Sequence, residues 1–151
     1  MKTKLLSSLM LVLAFSACQT PSENNQGNDS VMNNTVVAAP CDFTPIDSVS
    51  AQKQLKGEWE LAGVKPNRMM ADQPDEFLTG EQIGTPRGLI FYDNNEFEQT
   101  LNGQKQRERQ KYVLQDEGLS PLAYQFWFCG DNTLILSNVA ADGPTEVYIR
   151  K

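Results

Sequence analysis

The side chains able to do chemistry here are few, and what is missing narrows the field. None of the 151 residues is histidine, which removes an imidazole base, a His-based nucleophilic triad and a His metal site. Asp72, Asp75, Glu76 and Glu81 share one loop but lack the glycine and ligand spacing of a calcium loop, and no glycine-rich phosphate loop occurs. No catalytic residue, metal or cofactor is expected, and no enzymatic activity. Binding is what the residues offer. If Phe97 and Tyr112 face inward on a hairpin, Gln99, Gln106, Glu108 and Gln110 share that face. Burying those amides and a carboxylate dry would cost on the order of several kcal/mol. Either they line a wet cavity, with Tyr92 and Tyr124, for a small, partly apolar ligand, or the hairpin tip projects into solvent.

Cysteine carries the other chemistry, in Cys18, Cys41 and Cys129. Lys2 and Lys4, the apolar run Leu5 to Phe15 and the small residues Ser16-Ala17 before Cys18 form a leader over residues 1–17, too short to span a bilayer. Phe15-Ser16-Ala17-Cys18 resembles the lipobox of bacterial lipoproteins, with Phe15 where that family usually has leucine. The resemblance implies a diacylglycerol on the Cys18 sulfur and an acyl group on its amine, and two or more chains hold a protein stably on a membrane. It also implies a cell-envelope location. Gln19 stands where an inner-membrane retention signal would have Asp, which favours the outer membrane, with the domain facing the periplasm or the surface. Residues 18–40 read as the lipidated cysteine and a disordered tether, rich in Asn24, Asn25, Asn28, Asn33 and Asn34.

Loss of the leader removes Lys2 and Lys4, so eleven basic residues face nineteen acidic ones, a net charge of −8. Such a chain gains nothing from a phosphate backbone, and nucleic acid is not an expected partner. In an oxidising compartment Cys41 and Cys129 read first as a disulfide. Two buried thiols or a redox pair are the alternatives, the last disfavoured by the lack of Cys-x-x-Cys.

Residues 41–151 must then form the folded domain. Asp47, Ser48 or Ser50 can cap a short helical turn running to Gln54. Leu55 to Gly63 alternates apolar and charged residues with the period of a strand. Lys65 to Pro86 is a long connection, a lid or a packed loop, in which Gln73 to Thr79 can form a short helix. Strands follow at Arg87–Tyr92, Leu122–Cys129, Thr133–Asn138 and Thr145–Arg150. Asn102-Gly103 is a type I′ hairpin signal, pairing Leu101 with Gln104 and Thr100 with Lys105. Continued outward, the register sets Glu98 against Arg107, Phe97 against Glu108 and Glu96 against Arg109. The expected fold is all-β, an antiparallel up-and-down meander of seven or eight strands closing into a small barrel.

Leu55-Lys56-Gly57-Glu58-Trp59-Glu60-Leu61 is similar to the opening strand of lipocalins and bacterial lipocalin-like lipoproteins of the calycin group, which carry Leu-x-Gly-x-Trp-x-Leu. In that group an arginine on the last strand packs across the tryptophan at the closed end, and Arg150 matches it. The resemblance implies a lipocalin-like barrel that binds a small, partly apolar ligand, with Gly57, Trp59 and Arg150 as its structural motif. A second expectation, of another class, is a non-enzymatic envelope interaction lipoprotein, its barrel filled by side chains and its partner another protein.

Overall fold

The structure, a computed structural model, describes residues 40–67 and 76–151. The leader, Cys18 and the tether to residue 39 lie outside these, as do residues 68–75 of the long connection. None of the described helices is long and apolar enough to cross a membrane.

Asp47 caps the only α-helix among the described residues, α1 (Ser48–Leu55), its carboxylate accepting the amides of Val49 and Ser50 at 3.0 Å each. Those are the otherwise orphaned donors of a first turn. The hydrogen bonds, led by that of the Ser50 side chain, hold the Asp47 carboxyl below its ordinary range. Ala51 and Leu55, one helical turn apart, are fully buried.

The chain then runs through β1 (Gly57–Lys65), β2 (Leu78–Thr79), β3 (Arg87–Phe91), β4 (Glu96–Leu101), β5 (Gln104–Lys105) and β6 (Gln110–Lys111). It continues with β7 (Val113–Gln115), β8 (Gly118–Ser120), β9 (Gln125–Phe128), β10 (Thr133–Ser137) and β11 (Thr145–Arg150). The fold is antiparallel β, as the alternation predicts. The main sheet has the order β5-β4-β3-β1-β11-β10-β9, with β2 added to β1 and β6 to β4. The first long strand and the last therefore lie side by side, Trp59 beside Arg150. Among the described residues no ladder joins the two ends of this sheet; β7 and β8 form a separate hairpin between them in sequence. The closed ring of strands expected from the sequence is thus not found.

Three local expectations are corrected. Glu76 to Thr79, the described part of the expected helix over Gln73–Thr79, is extended, and Leu78-Thr79 pairs with Val64 and Gly63. The strand expected from Leu122 begins at Gln125, because the amides of Leu122 and Ala123 fold back onto the Leu119 carbonyl at 2.7 and 2.8 Å. The hairpin holds its register only through Gln106, whose amide meets the Gln99 carbonyl at 2.9 Å. Pairing resumes with Gln110 opposite Phe97 and Lys111 opposite Glu96, so the expected Glu98–Arg107, Phe97–Glu108 and Glu96–Arg109 pairs do not form. Arg107 and Glu108 bulge outward instead. The physical reason is the neighbour they would have had: Phe97 is 1% exposed, and a carboxylate opposite it would be desolvated. A slip of two residues keeps every side chain on its face and supplies the uncharged Gln110.

The sheet carries a buried cluster on each face. On one, Trp59, Leu89, Phe91, Phe97, Phe126, Leu134, Leu136 and Tyr148 form the main core. On the other, Trp127, Ile135 and Val147 form a second cluster, covered by Phe43 and Phe77. A bulge between Leu61 and Gly63 turns Gly63 towards this second face. A Cβ there would stand 2.2 Å from the Phe77 ring, so only glycine admits that cover. The N-terminal segment 40–47 is held on the same face by Phe43, edge-on to Trp127 at 5.6 Å, and by a 2.9 Å hydrogen bond from Trp127 Nε1 to the Cys41 carbonyl. The Cys41–Cys129 disulfide, formed as the pairing of the two cysteines predicts, fixes it there across a sequence separation of 88.

At the helix end of the sheet, Arg150 lies over the Trp59 ring at 4.2 Å. Its guanidinium donates to the carbonyls of Lys56 and Gln54 at 2.6 Å each and to that of Asp131 at 3.1 Å. Gly57 makes this possible: its φ is +116°, and a Cβ would come within 3.0 Å of Arg150 Nη1. Trp59 Nε1 donates to the Leu55 carbonyl at 2.7 Å.

Two outcomes are expected. Replacing Arg150 with alanine should cost about 1–3 kcal/mol, read from the urea midpoint, and lysine should restore little because its three donors share one nitrogen and cannot reach carbonyls spread around a planar guanidinium stacked on Trp59. Replacing both Cys41 and Cys129 with alanine should lower stability by about 4–5 kcal/mol in the chain-entropy account, with the parent chain in reductant showing the same loss.

Candidate functional site

The residues proposed as a cavity lining do not converge. Phe97 and Tyr112 are core, packed against Phe91 with ring centroids 6.1 and 5.4 Å away. Gln99, Gln106 and Glu108 are exposed, Gln110 is half-buried, and Tyr124 is 62% exposed on the turn before β9. The hairpin tip projects into solvent. Tyr112 is buried, its hydroxyl has no hydrogen-bond partner among the described residues, and burial pushes its phenol pKa up. Of the two arrangements the sequence leaves open for Gln99, Gln106 and Glu108, their exposure fits the projecting hairpin: alternation fixes a face but not whether the sheet has a neighbour beyond it.

Tyr92 alone of the set meets charged groups, and on the opposite face. Glu98 alternates with Phe97 and so points away from the main core, yet it is 5% exposed. Four contacts cover it. Lys105 Nζ sits 3.0 Å from Oε1 and 2.8 Å from Oε2; Arg109 Nε donates to Oε1 at 3.1 Å; the Tyr92 hydroxyl donates to Oε2 at 2.8 Å. The Arg109 guanidinium also stacks 3.8 Å over the Tyr92 ring. Hydrogen bonding from Lys105, followed by that from Tyr92 and Arg109, holds the Glu98 carboxyl down to about 2 against the cost of burial. Its hydrogen bonds in turn push the pKa of Lys105 and Arg109 up, holding both cationic, while burial and then Glu98 push the Tyr92 phenol up and keep it neutral. The two-residue bulge delivers Arg109 to this carboxylate where the unslipped register offered Arg107. The signal in sequence is the pair Glu96 and Glu98 on one strand face opposite a Lys-x-Arg-x-Arg run.

A second polar group was not signalled at all. Arg87 Nη1 meets Glu146 Oε1 at 2.9 Å, and the Tyr148 hydroxyl donates to Glu146 Oε2 at 2.9 Å. Both Glu146 and Tyr148 share the core-facing side of β11. Burial, with Glu146 alongside, pushes the Tyr148 phenol well up. Arg87 and Glu146 stand far apart in sequence, and only the β3-β1-β11 order brings them together.

Among the described residues a concavity lies on the outer face, about 200 Å³ in volume, over Gly88 between Glu58, Glu60 and Thr100. Among the described residues no cluster of three or more acidic, cysteine or histidine side chains could hold a metal. No protein-family model, curated protein or solved structure matches this chain.

The Glu98 group gives a pH prediction. A carboxyl with a folded value near 2 stabilises the fold fully above its unfolded value near 4.5, and that contribution is lost as pH falls from there towards 2. The melting temperature of the parent chain should therefore drop towards that of Glu98→Gln across this window, with their separation constant above pH 5.

Proposed function

We propose that this is a lipid-anchored, non-enzymatic envelope module that acts by presenting the outer face of its sheet to a protein partner. The observation that carries this is the character of β3 and β4: aromatic and aliphatic side chains fill their core face, while a concavity and the Glu98 ion-pair group lie on their outer face. Trp59 and Phe97 are each 1% exposed, and Leu134 and Leu136 are as deeply buried. The leader and Cys18 support attachment through lipid, and Gln19 supports the outer membrane. The strand order, with β11 returned to β1, and the Gly57-Trp59-Arg150 arrangement support a lipocalin-like curvature of the sheet.

A second reading, a carrier for a small, partly apolar ligand, is favoured by the Arg87-Glu146-Tyr148 group on the core-facing side. Two measurements separate them. Native mass spectrometry of the delipidated mature chain from its own host should return the bare polypeptide. A retained small molecule that titrates back would replace the first reading by the second. Cross-linking in intact envelopes should return one reproducible protein; repeated blanks would sink the interaction reading.

A further inference from the structure

Across β1, β3 and β4 the outer face dips into the 200 Å³ groove over Gly88. Gly88 pairs with Glu60 on one side and Thr100 on the other. A Cβ at Gly88 would stand 2.7 Å from Thr100 Oγ1 and 2.9 Å from the Trp59 carbonyl, so the chain cannot fill the dip from below. Ligand pockets run to roughly 300–1,000 Å³, so this volume suits one long side chain better than a free molecule.

The charges around it are unevenly satisfied. Arg87 is engaged by Glu146 and Lys105 by Glu98. Lys151 shares Glu60 at 3.4 Å, with both side chains more than half exposed. Glu58 makes no ion pair among the described residues. Two residues apart on one strand, Glu58 and Glu60 project from the same face. Pro86 and Ile90 supply apolar wall, and Thr100 a hydroxyl.

We propose that this groove seats one arginine or lysine side chain of the protein partner. Its methylene stem lies on Ile90 and Pro86, and its cationic head reaches Glu58 and Glu60. Long cationic side chains bury their stems while the head stays polar, and a guanidinium matches carboxylates with two parallel hydrogen bonds. Arginines seated in pockets are common anchors of protein interfaces. Displacing Lys151 from Glu60 costs little, because an exposed pair contributes little. The proposal rests on the protein-partner reading.

The test uses the nitrogen-15-labelled mature chain titrated with acetyl-arginine methylamide and followed by amide shifts. The amides of Glu58, Gly88 and Thr100 should shift saturably, and acetyl-glutamine methylamide should leave them in place. Glu58→Gln with Glu60→Gln should weaken saturation by about tenfold at an unchanged melting temperature. Shifts that never saturate, that persist in the double variant, or that acetyl-glutamate methylamide reproduces would overturn the proposal. Envelope cross-linking tells the two readings apart. A partner still captured by Glu58→Lys removes the groove and leaves the interaction reading. Saturable arginine binding with no captured partner removes the interaction reading and leaves a cation site.

Discussion

The Arg150 guanidinium is the point through which the two ends of the folded chain are joined. It lies flat over Trp59 and donates to carbonyls from three separate places: the last turn of α1 at Gln54, the lead into β1 at Lys56, and the β9–β10 turn at Asp131. Helix C-terminal carbonyls lack internal partners and carry the negative end of the helix dipole, so a cation there satisfies both needs. With α1 and β11 fixed to the start of β1, β1 and β11 must lie side by side. From that central pair β3 and β4 extend on one flank and β10 and β9 on the other. Gly57 is the backbone concession that lets the guanidinium through.

A sheet with a buried cluster on each face needs two covers, and this one divides them unequally. α1 and the β7–β8 hairpin serve the main core. The second cluster, on β9, β10 and β11, is covered by segment 40–47 and Phe77, with the disulfide holding the former. That cover stops at β1. Beyond it, on β3 and β4, the outer face is polar, carrying the Glu98 group and the Gly88 groove. That half of the outer face has no apolar cluster to cover among the described residues.

What could be read from sequence follows from locality. The Asp47 cap, the Asn102-Gly103 turn and the Gly57-Trp59 strand are set by residues close in sequence, and the structure shows each of them. Arg150 over Trp59 is distant in sequence and legible only through the resemblance of Leu55–Leu61 to the lipocalin opening strand, and the structure places it there. The two-residue bulge at Arg107-Glu108 was beyond reach, because a slip of two preserves the alternation that register arguments use. The placement of Phe43 and Phe77 was equally hidden: neither stands in a periodic segment, and both answer to a second cluster that exists only once the sheet is assembled. Pairing of Arg87 with Glu146 depends on strand order alone.

The polar residues of the hairpin first suggested a wet interior, and their actual arrangement gives a better account of the same composition. A carboxylate buried in a filled core would have to lose its charge or be fully paired there. Placed on the outer face, Glu98 is shielded by three side chains that each remain partly in water, so it keeps its charge and fixes theirs. Lys105 and Arg109 are thereby held in position without a ligand, and the entropy of ordering them is already spent before any encounter. A surface whose charges are fixed in advance loses less on association than one whose long side chains must first be immobilised. The Glu98 group thus does for the outer face of β3 and β4 what Arg150 does for the core: it fixes long side chains in place around one buried contact.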